Sequence, residues 1–372
     1  MPNVVGFLRW RIIDFTRRWA WPFFTTLEYD NISRRRSLWT TGSAPPGEKV
    51  AIYLIYPQFG LQPSHERSIA YLAGRGFSVT AVSNLPLSEV DLQRLLPITS
   101  MVLQLPNIGY DFGGYRDGVL QLFSRRNEIR QLVLANDSVW FPLPGGLDWL
   151  DNVDDMDLDF VGAASNLALR TVDPAHLDGF SWVFDDGNPE FHYCSYALSF
   201  GQRVLTDDDF WHFWKRFRIT NNKMETVRRG EVGLSQWVLG RGYTHGSTLP
   251  VSSIEQEVKA LPDERILELL SSVIVPQEQS LRDAIDEYIR ERPEIGWRPT
   301  AEKVLLNAIA RTGVSYVLPE FFNRELGFPF LKKSPLFLDR AGMEHTLRFL
   351  DRLPDPVGSE LVAEARQMTA RR

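Results

Sequence analysis

The chain has 372 residues, of which 44% are hydrophobic and 24% charged, a globular composition long enough for about two structural units. Its net charge of −6 argues against a surface that is basic all over, and so against a general nucleic-acid binder. A single cysteine, Cys194, allows neither an intramolecular disulfide nor a cysteine zinc framework. The longest apolar runs, such as residues 50–56, fall far short of the roughly 20 residues that span a bilayer. Arg9, Arg11, Arg17 and Arg18 interrupt any signal-peptide core, so the expected location is cytoplasmic.

In chain order, residues 1–40 come first, with seven arginines against three acids and interleaved aromatics: Phe7, Trp10, Phe15, Trp19, Trp21, Phe23, Phe24, Tyr29 and Trp39. This mixture suits a lipid headgroup region, which would make the protein peripheral at the inner membrane. Equally, the aromatics could pack on the body of the protein or on a partner chain. Residues 40–48, TTGSAPPGE, read as a linker.

From Lys49 onward the pattern alternates. KVAIYLIY, FSVTAVSN, SMVLQLP and RQLVLAND read as strands. SHERSIAYLAGRG, SEVDLQRLL (capped by Ser88) and GYRDGVLQLFSRR read as the helices between them, the last beginning around Tyr115. Alternation of this kind predicts a parallel sheet with helices on both faces, and a ligand cleft beyond the carboxyl ends of the strands. Two stretches lie at such ends: NIGYDFGGYRDG (residues 107–118) and Asn136-Asp137-Ser138.

Gly109, Gly113 and Gly114 would let a diphosphate approach backbone N–H groups at a helix start, with Arg116 as its ion partner. Asp137 could hold a divalent cation, Mg2+ or Mn2+, which typically takes one or two protein carboxylates and completes its shell with phosphate and water. The plainer readings are a tight loop for the glycines and a turn cap for Asp137.

FHYCSYALSFGQRVL (191–205) reads as a strand leading into TDDDFWHFWKRF, a helix capped near Thr206. Its aromatics at 210, 211, 213, 214 and 217 read as core more readily than as a sugar platform. In RRGEVGLSQWVLGRGYTHG, Glu231 sits at an expected helix start, where the dipole would stabilise a carboxylate. It is either a good first-turn residue or a general base for an acceptor hydroxyl. His245 follows the Gly-Tyr turn, a satisfied loop histidine on the plain reading and, only by the resemblance given below, a lesser metal candidate. Lys332 and Lys333 could reach phosphate or a lipid headgroup, or form a solvated charged pair. Beyond residue 255, LPDERILELLSSVIV, SLRDAIDEYIRER, TAEKVLLNAIAR and SELVAEARQMTARR have helical spacing.

Taken in order, NIGYDFGGYRDG, LVLANDSVWFPL, SYALSF, FWKRF, GEVGLSQWVLGRGY and GFPFLKKSPLF resemble the rhamnan synthesis protein F family of bacterial polysaccharide glycosyltransferases, over roughly residues 49–340. The resemblance implies an α/β, GT-A-like Rossmann-type nucleotide-sugar domain, with an aromatic basic N-terminal segment (1–48), the transferase domain at 49–254 and a helical C-terminal region (255–372). It also implies transfer of a sugar, often rhamnose, from a nucleotide-sugar donor to a glycan or lipid-linked acceptor. On this likeness Asn136-Asp137-Ser138 takes the place of the Asp-x-Asp motif, with Asp137 as metal or diphosphate residue. Asn107, Gly109, Asp111, Gly113, Gly114, Arg116, Asn136 and Ser138 become donor-binding candidates, and Glu231 the base. Only one acid remains in the motif, and Val232 follows Glu231, which puts metal dependence in doubt and keeps a second reading open: a non-catalytic assembly or membrane-adaptor protein on the same fold.

Overall fold

A computed structural model describes residues 20–166, 172–173, 176–275, 279–290 and 297–370. The chain forms two compact units built of interleaved segments: residues 1–61, 72–137 and 197–243 in the first, and residues 62–71, 138–196 and 244–372 in the second. The N-terminal aromatics before Trp21 lie outside the described residues.

The first unit holds a sheet built from β1 (Leu38–Thr41), β2 (Lys49–Ile55), β3 (Ser78–Ser83), β4 (Met101–Gln104), β5 (Gln131–Asn136) and β6 (Ala197–Gly201). Their order is β1-β4-β3-β2-β5-β6. Strands β4, β3, β2 and β5 are parallel, as the alternation predicts. At the margins β1 runs antiparallel to β4, and β6 antiparallel to β5. The first half of the expected linker is thus partly strand: Thr40 and Thr41 pair with Val102 and Met101.

The helices of this unit are α1 (Trp21–Asn31), α2 (Glu89–Leu95), α3 (Tyr110–Gln121), α4 (Asp208–Arg216), α5 (Lys223–Val227) and α6 (Gly233–Gly240). The Ser88 cap of α2 is present, its side chain accepting from Asp91 N–H. Helix α4 is capped by Asp207, one residue beyond the expected Thr206. Phe210, Trp211, Trp214 and Phe217 are all buried, so these aromatics are core. Phe112 stacks on Trp214 and Phe217, with ring centroids 6.0 and 5.5 Å apart. Each such ring taken fully out of water contributes about 1.5–3 kcal/mol.

Helix α3 begins at Tyr110, five residues before its expected start, so Gly113, Gly114 and Gly118 lie inside it. Glycine is a poor helix former, which is why the stretch reads as a loop. What comes close to these glycines is the protein itself. A Cβ on Gly113 would stand 2.2 Å from the Ile108 carbonyl oxygen, and one on Gly114 2.0 Å from Leu54 Cδ1 of β2. The Gly113→Ala variant is therefore expected to lose about 1–3 kcal/mol of stability through overpacking against backbone. A denaturant midpoint equal to the wild-type value would contradict this packing account.

In the second unit, strands Val139–Trp140 and Leu331–Lys332 pair antiparallel, as do Ser165–Asn166 and His192–Tyr193, while Phe160–Gly162 and His245–Ser247 pair in parallel. The helical C-terminal region expected from sequence is present, with helices at Ile254–Ala260, Asp263–Ser272, Gln279–Arg290, Trp297–Thr312, Arg340–Asp351 and Val357–Thr369. The last two pack Phe349, Leu350, Leu361 and Ala365 on Trp140 and Leu331. In this core Lys333 donates to Glu364 at 2.8 Å, and the Trp140 indole N–H donates to the same oxygen at 3.0 Å. Lys333 is only 7% exposed, so it is neither a phosphate ligand nor part of a solvated pair. Lys332 instead lies over the Tyr196 ring.

Candidate active site

The parallel core of the first unit reverses its strand order between β2 and β5, the point where open α/β sheets form a crevice. Asp137 sits at that fork. Its N–H donates to the Leu54 carbonyl at 3.0 Å, and its carboxylate accepts from the Tyr56 N–H at 2.8 Å, so the side chain is pinned across the ends of both strands. Tyr56 follows β2 with 43% of its surface exposed. Sequence reading had absorbed it into a buried strand.

Helix α3 enters the same place from the other side. Gly109, at its N-cap, has φ 88°, and Tyr110 follows with φ 52°. A left-handed Tyr is uncommon, and such backbone concentrates at functional sites. The Gly109 N–H donates to Asn221 Oδ1 at 3.0 Å, tying the turn to the segment before α5. Asn107 is exposed just before this turn.

One turn into α3, the buried Tyr115 hydroxyl accepts from Asn136 Nδ2 at 3.0 Å, and the same amide reaches Asp111 Oδ2 at 3.5 Å. Burial, reinforced by the nearby carboxylates of Asp111, Glu231 and Asp137, pushes the Tyr115 phenol well above its ordinary range. Asn136 joins Asp111 to this phenol, and the charges of Asp137 and Glu231 act on it. Tyr115 itself was missed, although it lies within the glycine motif.

Glu231 reaches this cluster from a π-helical turn, Arg228–Val232, that joins α5 to α6 without a break. It is not at a helix start. The true N-cap is Asn222, whose side chain accepts from the Glu225 N–H, so the helix-dipole argument for Glu231 does not hold. Within this turn a Cβ on Gly230 would stand 2.4 Å from the Phe112 ring, so the ring packs directly on its backbone. Single π turns recur at functional sites because they re-aim one side chain.

Other candidates lie elsewhere. Arg116 is 4% exposed and gives Asp30 of α1 two hydrogen bonds, at 2.7 and 2.8 Å. The Gly113 N–H is spent on the Gly109 carbonyl. In the second unit Ser138 is exposed and its carbonyl accepts from the Lys333 N–H, while His245 Nδ1 is hydrogen-bonded to the Tyr193 hydroxyl at 2.7 Å.

The clustered carboxylates are hard oxygen donors of the kind magnesium and manganese take. Among the described residues, no three His, Cys, Asp or Glu side chains are grouped so as to hold a metal by themselves. Asp137 could supply one such carboxylate, with the rest of the shell coming from outside the protein.

With Asp137 and the Tyr115 phenol at the switch point of a parallel-rich sheet, this is an α/β protein. The model of the family described as rhamnan synthesis protein F matches residues 79–268, just over half of the chain, and the protein belongs to that family. It is 28% identical over 308 residues to the uncharacterized protein y4gN of Sinorhizobium fredii, covering 83% of this chain and 76% of that one. Among solved structures it is similar to the mannosyltransferase PcManGT of Pyrobaculum calidifontis in complex with GDP-Man and Mn2+, at 11% identity, 96% and 93% coverage and a TM-score of 0.31. It also matches the mannosyltransferase Ktr4p of S. cerevisiae, at 11% identity, 52% and 68% coverage and a TM-score of 0.25.

Proposed function

We propose that the protein is a glycosyltransferase that moves a sugar, rhamnose by the family's description, from a nucleotide-sugar donor to a cell-surface polysaccharide or lipid-linked glycan, with inversion. The observation that carries this reading is that Asn136 joins Asp111 to Tyr115 at the sheet's switch point, with the charges of Asp137 and Glu231 acting on the same phenol. Family membership supports the general class.

In this reading the donor lies across the ends of β2 and β5, with its base against the exposed Tyr56 ring and its diphosphate toward Asp137. Asn107, Gly109 and Tyr110 form the rim. Asp137 would hold Mg2+ or Mn2+, whose charge would oppose that of the leaving diphosphate. Asp111 and Asn136, tied to Tyr115, keep the floor rigid so that the polar groups are oriented before the donor arrives. Glu231 takes the proton of the acceptor hydroxyl as that oxygen attacks the anomeric carbon and the diphosphate departs on the opposite face. The acceptor is met in the cytoplasm at the inner membrane.

The test is transfer itself. Purified protein is incubated with nucleotide sugars and extracted glycolipid acceptors, and the product linkage is read by NMR. A product with the anomeric configuration opposite to the donor's is expected; retained configuration would remove Glu231 as base for a single displacement.

A further inference from the structure

Helix α1 has its polarity reversed relative to an ordinary surface helix. Its inward side carries Pro22, Thr26 and Tyr29, all buried, at a spacing of four and three residues. That side is held by polar bonds: Thr26 Oγ1 accepts from the Ile219 N–H at 2.8 Å, and the Tyr29 hydroxyl donates to buried Asp117 at 2.6 Å. Arg34 and Arg116 stand beside Asp117, and Arg116 reaches Asp30, so the helix is anchored by a charged network. The apolar residues point out. Trp21 is 64% exposed, Phe23 42%, Phe24 64% and Leu27 51%. At 100° per residue these four fall within one half of the helix circumference, opposite the buried side.

Exposed large apolar groups on one helix face mark an interaction surface. Positive charge surrounds this one. Arg35 and Arg36 are exposed in the turn after α1, and the Arg218 guanidinium lies 4.7 Å from the Phe23 ring centroid. Arg216, Arg218 and Arg229 also line a cavity of about 380 Å³ floored by Phe213, Phe217 and Trp237. The one acid on the outward side of α1, Glu28, accepts from Ser33. Residues 1–19, which lead directly into the helix, add four arginines and one acid in sequence. Aromatic and aliphatic groups ringed by arginine match the boundary between acyl chains and anionic headgroups.

We propose that the outward face of α1, with Arg35, Arg36 and Arg218 beside it, docks the protein on an anionic phospholipid surface. Trp21, Phe24 and Leu27 enter the headgroup boundary, and the arginines meet lipid phosphates. The docking is a property of the anchored helix and does not depend on the transferase reading.

The experiment is co-sedimentation of the full chain with vesicles of phosphatidylcholine alone, or of phosphatidylcholine and phosphatidylglycerol in equal amounts, with Trp fluorescence as a second readout. Binding to the anionic vesicles alone, weakened by salt, is expected. Two variants, Trp21→Ser with Phe24→Ser, and Arg35→Ser with Arg36→Ser and Arg218→Ser, should each weaken it about tenfold or more at unchanged melting temperature. Absence of binding by the wild type, or binding untouched by both variants, would overturn the proposal. So would a wild-type dimer that the apolar variant converts to monomer without altering vesicle binding, since a second copy would then cover the face. Because no step reads sugar transfer, failure here leaves the transferase proposal standing, and the reverse holds.

Discussion

Glu231→Gln is expected to lower kcat by about 10² to 10⁴, the usual worth of a positioned general base, while leaving donor affinity near wild type. The amide keeps the size of the side chain, and Ser235 Oγ donates to the Glu231 backbone carbonyl, so the π turn should persist. A variant that keeps turnover at saturating donor but binds donor poorly would move Glu231 from proton transfer to donor binding. Asp111→Asn, by contrast, should weaken donor binding more than turnover, since Asp111 faces Asn136 and Tyr115 within the floor of the site.

The largest expected effect on stability lies outside that site. Lys333→Ala should cost about 3–5 kcal/mol, the typical penalty for leaving a buried charge without its partner. Burial alone would push the Glu364 carboxyl up, but the Lys333 charge and hydrogen bond, with smaller help from Ser64 and His65, hold the group below its ordinary value. A carboxyl lowered in the folded state contributes stability that is present above its unfolded value and is lost as pH falls through the folded one. The wild type should therefore weaken in acid below the ordinary glutamate range, whereas the double variant Lys333→Met with Glu364→Leu should be less sensitive there. Denaturant titration against pH measures both. An unchanged midpoint for Lys333→Ala would mean that the pair contributes nothing net.

The parallel core was legible because four apolar runs alternate with helical segments, and the site's address followed from where those runs end. Asp137 could be placed at a strand end from sequence alone, but that its carboxylate ties β5 to β2 through the Tyr56 N–H required the order of strands, which adjacent residues do not encode. The glycine motif misled for a definite reason. Its glycines serve helix-on-strand contact against Leu54 and Ile52, a long-range demand that outweighs local helix propensity. Arg116 read as a phosphate ligand because its partner, Asp30, is 86 residues away in sequence. Glu231 is marked by its motif, whereas its setting in a π turn is not visible in the local residue pattern. The inverted polarity of α1 was hidden because aromatics at helical spacing look alike whether they face a core or water.

In the proposed reading the fork of β2 and β5 binds a nucleotide sugar. The most direct measurement is thermal unfolding of the purified protein with a panel of nucleotide sugars, each with magnesium, manganese or chelator. At about 100 times Kd a true donor adds about 2.7 kcal/mol to apparent stability. A shift with one donor class is expected, and it should disappear in Asp137→Ala, a variant that should itself remain folded. No shift with any nucleotide sugar, even with acceptor present, or a shift that survives Asp137→Ala in full, would contradict it.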